Sequence, residues 1–170
     1  MPEAKRRAKQ PPKLSAGALF AKADKQWDSG RLRSAFRLFL SGAKAGDSSA
    51  QLSVGYFYDV GIGVKRNRKA ALRWYHRAFR RGSAAAASNI GTIFRDERKI
   101  SNALSWFQKA INMGDSDANL QVAKIYLREK RDAKKAITYL KRTIAAKRST
   151  EASEEEAQRL LKQLEQSHKA

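Results

Sequence analysis

The chain contains no cysteine. Disulfides, thiolate nucleophiles and cysteine metal sites are therefore excluded, and the composition fits a reducing compartment. Proline is confined to Pro2, Pro11 and Pro12. Nothing in the remaining body interrupts a continuous helix. No run approaches the roughly eighteen consecutive apolar residues of a transmembrane helix. Acid is scarce as well: 16 acidic residues against 36 basic ones leave a formal charge of +20 at pH 7. A field of that size speeds encounters with acidic partners of any kind. The opening MPEAKRRAKQPPK is basic and lacks the apolar centre of a secretory signal, so a cytoplasmic protein is expected. Residues 1–14 read as a disordered basic arm, in which Lys5, Arg6, Arg7 and Lys9 also fit a localisation tail.

What is present is a repeat. Ala35, Ala71, Ala103 and Ala136 follow one another at intervals of 36, 32 and 33 residues, and each has a bulky partner four positions on: Phe39, Tyr75, Phe107 and Leu140. Seven residues beyond the first three partners stand Gly46, Gly82 and Gly114, while Lys147 occupies the corresponding fourth place. A second series of small residues, Ala23, Gly55, Gly91 and Ala123, runs ahead of the first. Each unit thus holds two helical segments, and small residues let the paired helices approach closely. The second unit is longer by the loop Gly61-Ile62-Gly63-Val64. The glycines after the second helices read as helix stops, and Asp47, Ser83 and Asp115 as caps of the helices that follow. The expected fold is all-α: a superhelical solenoid of about four hairpins over residues 15–150. A closing helix follows over 151–170, started by the Ser153-Glu154-Glu155-Glu156 capping box, with Leu160, Leu161 and Leu164 on its apolar stripe.

The second unit, with Ala50, Val54-Gly55, Tyr58, Gly61-x-Gly63-Val64, Ala71-Leu72, Trp74-Tyr75, Ala78 and Gly82, closely resembles the Sel-one-like repeat, a relative of the tetratricopeptide repeat. The third and fourth units keep shorter versions of it. The first is degenerate, with Lys22 and Gln26 where the others place apolar and aromatic residues. The resemblance implies an interaction scaffold whose first helices line a concave side and whose second helices line a convex one. It also implies adaptor roles, or neutralisation of a toxin by an immunity-type protein.

Catalysis finds little support. The two histidines, His76 and His168, do not join a nucleophile and an orienting group in one site, and no ligand spacing points to a metal. Gly61-Ile62-Gly63 lacks the preceding strand and longer glycine pattern of a phosphate loop and reads as a turn. A non-enzymatic protein without cofactor or small-molecule substrate is expected.

Two binding faces follow from the register. Arg73, Arg77 and Arg80 share one helical face opposite Ala71, Tyr75 and Ala78, inside an interval from Asp59 to Asp96 without an acid. Arg81, and Lys134 with Lys141 in the fourth unit, extend that basic ridge, as do Arg33 and Arg37 in the first. The ridge is either a solvated face or a binding face. On the first helices, Phe20, Trp27, Leu52, Tyr56, Ser88, Thr92, Leu120, Lys124 and Leu127 fall on an expected concave strip, with Asp24, Asp28 and Asp59 beside it. That strip is either a groove or packing between hairpins. An acidic protein partner is the leading expectation. The alternative is sequence-independent nucleic-acid binding through the basic outer face, although the basic regions lack interleaved exposed aromatics for base stacking. An anionic membrane surface fits least, since the basic helices show no second apolar stripe.

Overall fold

The computed structural model describes residues 14–167. His168 and all of the basic arm except Leu14 lie outside them. Nine helices and no strand occur among the described residues: α1 (Ala16–Asp28), α2 (Leu32–Lys44), α3 (Ser48–Val60), α4 (Arg68–Arg80), α5 (Ala84–Asp96), α6 (Ile100–Asn112), α7 (Ala118–Arg128), α8 (Ala133–Ala145) and α9 (Glu151–Ser167). Each helix packs chiefly against its neighbours in the chain. The result is an open stack of hairpins with α9 at one end, as the repeat predicts.

Local signals account for most helix ends. Side chains of Ser15, Asp47, Asn67, Ser83 and Asp132 accept hydrogen bonds from backbone N–H groups three residues on, at 2.6–3.2 Å. Asp115 accepts from the Ala118 N–H at 3.3 Å and from the Ser88 hydroxyl at 2.5 Å, tying α5 to the start of α7. Gly46, Gly82 and Gly114 have φ of 97°, 90° and 92°. The residue after each returns its N–H to the carbonyl five positions back, at 3.0–3.1 Å. A side chain would strain this left-handed stop, which explains the glycines.

The crossings obey the small–large pairing. A Cβ on Gly55 would lie 2.5 Å from the Tyr75 ring, and one on Gly91 would lie 2.9 Å from the Phe107 ring. Both rings are fully buried. Ala23 with Phe39, and Ala123 with Leu140, share their clusters in the same way. The degenerate first unit therefore forms a full hairpin, with Lys22 left exposed. In the Gly-x-Gly loop, Gly61 (φ 84°) ends α3. Gly63 (φ 65°) lies against the backbone of Leu32 and Arg33, where a Cβ would come within 3.0 Å. Ile62 and Val64 pack into the core of the first hairpin. The insertion is a wedge between units one and two.

Two expectations need correction. The closing helix begins at Glu151 rather than at a Ser153 cap. Thr150 Oγ1 accepts from the Ser153 N–H at 3.3 Å, and the Thr150 N–H donates to the Asp117 carboxylate at 2.9 Å. That tie to the preceding unit pins Thr150 and starts the first turn three residues early. Leu120, expected on the exposed strip, is 2% exposed. It packs with Leu140 and Ala157, against which Leu160, Leu161 and Leu164 also sit, because α9 covers the end of the stack.

A Gly55→Ala variant is expected to lose about 1–3 kcal/mol by overpacking against Tyr75. Gly17→Ala is the control: it meets nothing within 4 Å and should leave stability unchanged or raise it by up to about 1 kcal/mol. Chemical denaturation of both variants checks the pair, and equal midpoints would show that the α3–α4 crossing is loose.

Candidate functional site

The hairpins place first helices (α1, α3, α5, α7) and second helices (α2, α4, α6, α8) in two layers with different charge. The second helices carry three, five, one and four Lys or Arg residues in turn, and not one Asp or Glu. Arg73, Arg77, Arg80, Arg81, Lys134 and Lys141 are all exposed, while Ala71, Tyr75 and Ala78 are buried. The basic side chains of α4 thus point outward together. Among the described residues, the second-helix cations form ion pairs at Arg68, with Asp59 at 3.8 Å and Asp96 at 3.0 Å, and at Lys135, with Asp132 at 3.3 Å.

Aromatic rings do stand among these cations, half-buried rather than exposed. Arg77 lies over Trp74 at 4.5 Å, Lys109 over Trp106 at 3.9 Å and Arg142 over Tyr139 at 5.0 Å. The three pairs occupy one register in successive units, each cation three residues after its ring. Sequence reading missed this ladder, although the aromatic-x-x-cation spacing was visible. Such contacts contribute about 0.5–1 kcal/mol each at exposed sites and hold the charged end in place.

On the first-helix layer, Trp27, Leu52 and Tyr56 come together. With Asp24, Ser53 and Asn89 they line a concavity of about 340 Å³. Trp27 packs edge-on against Phe57 at 5.1 Å and meets Tyr56 at 6.0 Å. Tyr56 is 42% exposed, and Val60, one turn further along α3, is 49% exposed. Val60 was missed by the register argument, yet it stands four residues from Tyr56. Thr92 lines the adjoining concavity with Ser88, Asn89, Arg95 and Gln121. Phe20 lies instead against Phe39 at 5.3 Å, edge to face, within the packing of the first hairpin. Leu127 is half-buried and lines neither concavity. Three side-chain contacts link charges along the stack here: Arg95 donates to the Gln121 amide oxygen at 2.7 Å, Arg98 pairs with Glu129 at 2.9 Å and Lys124 with Glu156 at 2.7 Å.

His76 lies edge-on to Trp106 at 5.1 Å. Its position suits packing between α4 and α6. Burial, and then the nearby Arg80 and Lys109, lower its pKa from the ordinary value of 6.5. The unfolded chain therefore takes up the His76 proton at higher pH than the folded one. Stability is full above the unfolded pKa and falls as pH drops through about 6.5 toward the folded value. His76→Gln is expected to remove that component of the acid-side loss, read as a smaller shift in unfolding midpoint between pH 7.5 and pH 5.5. An identical shift in both proteins would show that His76 is solvated.

A family model for the Sel1 repeat matches residues 48–83, 86–115 and 116–147, more than half of the chain. The structure is similar to a Sel1 repeat protein from Oxalobacter formigenes, with 23% identity and a TM-score of 0.64 over 76% of this chain and 56% of that one. It is also similar to c5321, a protective antigen present in uropathogenic Escherichia coli strains and displaying an SLR fold, with 18% identity, a TM-score of 0.67 and coverage of 76% and 30%. A third similar structure is the immunity protein Pa5087 from Pseudomonas aeruginosa, with 17% identity, a TM-score of 0.55 and coverage of 81% and 55%. At such identities the likeness shows the fold, and this chain spans less than two thirds of each of the three. No helix among the described residues is long and apolar enough to cross a membrane. The matched repeats and the two-layer stack together show that the chain belongs to the Sel1 repeat family, a fold of protein-interaction modules.

Proposed function

We propose that this chain is a non-enzymatic adaptor or inhibitor that holds an acidic protein partner on its first-helix face. The observation that carries the reading is the pair Tyr56 and Val60. These apolar side chains are exposed one turn apart on α3, and Tyr56 lies at the rim of the Trp27–Leu52 concavity. Elsewhere among the described residues, large apolar side chains with comparable exposure are Leu14 and Met113. Clustered apolar anchors over a concave, half-polar surface suit a partner's helix or extended segment. The net charge of +20 favours acidic chains by raising their rate of encounter, whichever face they finally meet. An immunity-type role, the term by which Pa5087 is described, is the narrower form of this reading, with a toxin as the protein neutralised here. It requires a tight, one-to-one complex.

Affinity capture from nuclease-treated lysate is expected to retain an acidic protein in stoichiometric amount. Titration of that protein against Tyr56→Ala and Val60→Asp should show affinity at least tenfold weaker, about 1.4 kcal/mol. Unchanged affinity in both variants would remove the first-helix face from the reading, and loss of every partner after nuclease would remove the protein partner itself.

A further inference from the structure

We propose that the second-helix face is a separate surface for the phosphate backbone of a nucleic acid, centred on a cationic cleft between α2 and α4. The cleft has a volume of about 320 Å³ and is lined by Lys44 from one unit and by Arg77, Arg80 and Arg81 from the next. Among the described residues, no carboxylate lines it. Its wall includes Gly46, whose missing side chain matters here: a Cβ would stand 3.0 Å from the Arg81 guanidinium. The glycine that stops α2 thus also admits Arg81. The floor is Gln51, fixed by its Nε2 donating to the Ala43 carbonyl at 3.2 Å. The four cations form no ion pair among the described residues, so their charge is available to an anion.

Three features favour a polymer of phosphates over a lone anion or an acidic protein. Cationic side chains continue on both sides of the cleft, through Arg33 and Arg37 on α2 and through Lys109, Lys141 and Arg142 on later units. The ladder of rings under Arg77, Lys109 and Arg142 repeats the same cationic station in three successive units. Protein interfaces have an apolar, water-excluding centre, and none of the large apolar side chains exposed among the described residues falls within α2, α4, α6 or α8. A surface of arginine and lysine without apolar anchors suits backbone contacts, which carry affinity and not sequence information. The rings are half-buried beneath their cations, so they fix charge and leave bases unstacked.

The test is fluorescence anisotropy of the full chain with labelled mixed-sequence DNA duplexes over a range of salt. Affinity is expected to fall linearly on a log–log plot, by roughly 0.9 in slope for each phosphate neutralised. The triple variant Arg77→Ala/Arg80→Ala/Arg81→Ala should bind duplexes of unrelated sequence at least tenfold more weakly and with a slope shallower by about 3. These side chains are exposed, so its unfolding midpoint should match the parent's within a few degrees. Tyr56→Ala should bind DNA as the parent does, which separates this surface from the protein-partner reading. Wild-type affinity in the triple variant would overturn the proposal. So would displacement of the DNA by inorganic phosphate at matched ionic strength, which would reduce the cleft to a single-anion site. Competition by poly-glutamate as effective as that by unlabelled DNA would equally overturn it, in favour of an acidic protein on this face.

Discussion

The close approach of paired helices, set by one small residue beneath one ring, is the constraint from which the rest of this structure follows. Tyr75 occupies the space that a Cβ on Gly55 would need, and Phe107 does the same at Gly91. With the rings seated there, α4 and α6 each present one face to the core, and every residue on the opposite face is committed to solvent. Arg73, Arg77 and Arg80 therefore share a direction because Ala71, Tyr75 and Ala78 share the other. The basic surface is a geometric by-product of the packing, and its content is left to the surface codons.

That freedom is used in a lopsided way. Acids are absent from all four second helices, so the pairs that do form reach other elements: Arg68 of α4 meets Asp96 at the end of α5, and Lys124 of α7 meets Glu156 of α9. The like-charged layer is less costly than its composition implies. Lys44, Arg77 with Arg80, Lys109 and Arg142 all stand in last helical turns, where the partial negative charge of the helix end offsets part of their repulsion. Three of these cations also rest on aromatic faces. Helix termini and rings thus keep a crowded cationic layer compatible with a folded chain. The apolar exposure at Tyr56 and Val60 is kept on the other layer. Separation of the two chemistries lets one small stack present two unlike surfaces.

Regular spacing made the fold legible. Alanines and glycines at intervals near 32–36 residues located the hairpins, and the glycine stops with their Asp or Ser caps located the joints after α2, α4 and α6. The outward direction of Arg73, Arg77 and Arg80 came from helical periodicity alone. Properties that arise between units were not legible. Leu120 is buried because α9 lies over it, and no periodicity within α7 carries that information. The start of α9 depends on Asp117, 33 residues earlier in the chain, accepting from Thr150. The cleft around Arg81 needs the turn at Gly46 and the end of α4 in contact, a relation that single-helix reasoning does not reach. Phe20 and Tyr56 look alike on a helical register, yet one packs against Phe39 and the other stays exposed beside Trp27.

Contacts that run chiefly from each helix to its chain neighbours, and from there to the adjoining hairpin, have a further consequence. Apart from the Gly61-Ile62-Gly63-Val64 wedge, the internal joints repeat one kind of stacking, so the number of hairpins is not dictated by closure, as it is in a barrel or a bundle. Length becomes an adjustable quantity. Inserting another copy of the segment between Gly82 and Gly114 would lengthen both layers in step, adding one ring-backed cation and one more patch of first-helix surface. The reach of such a molecule along an extended ligand can change by whole units during evolution, with no new packing problem to solve.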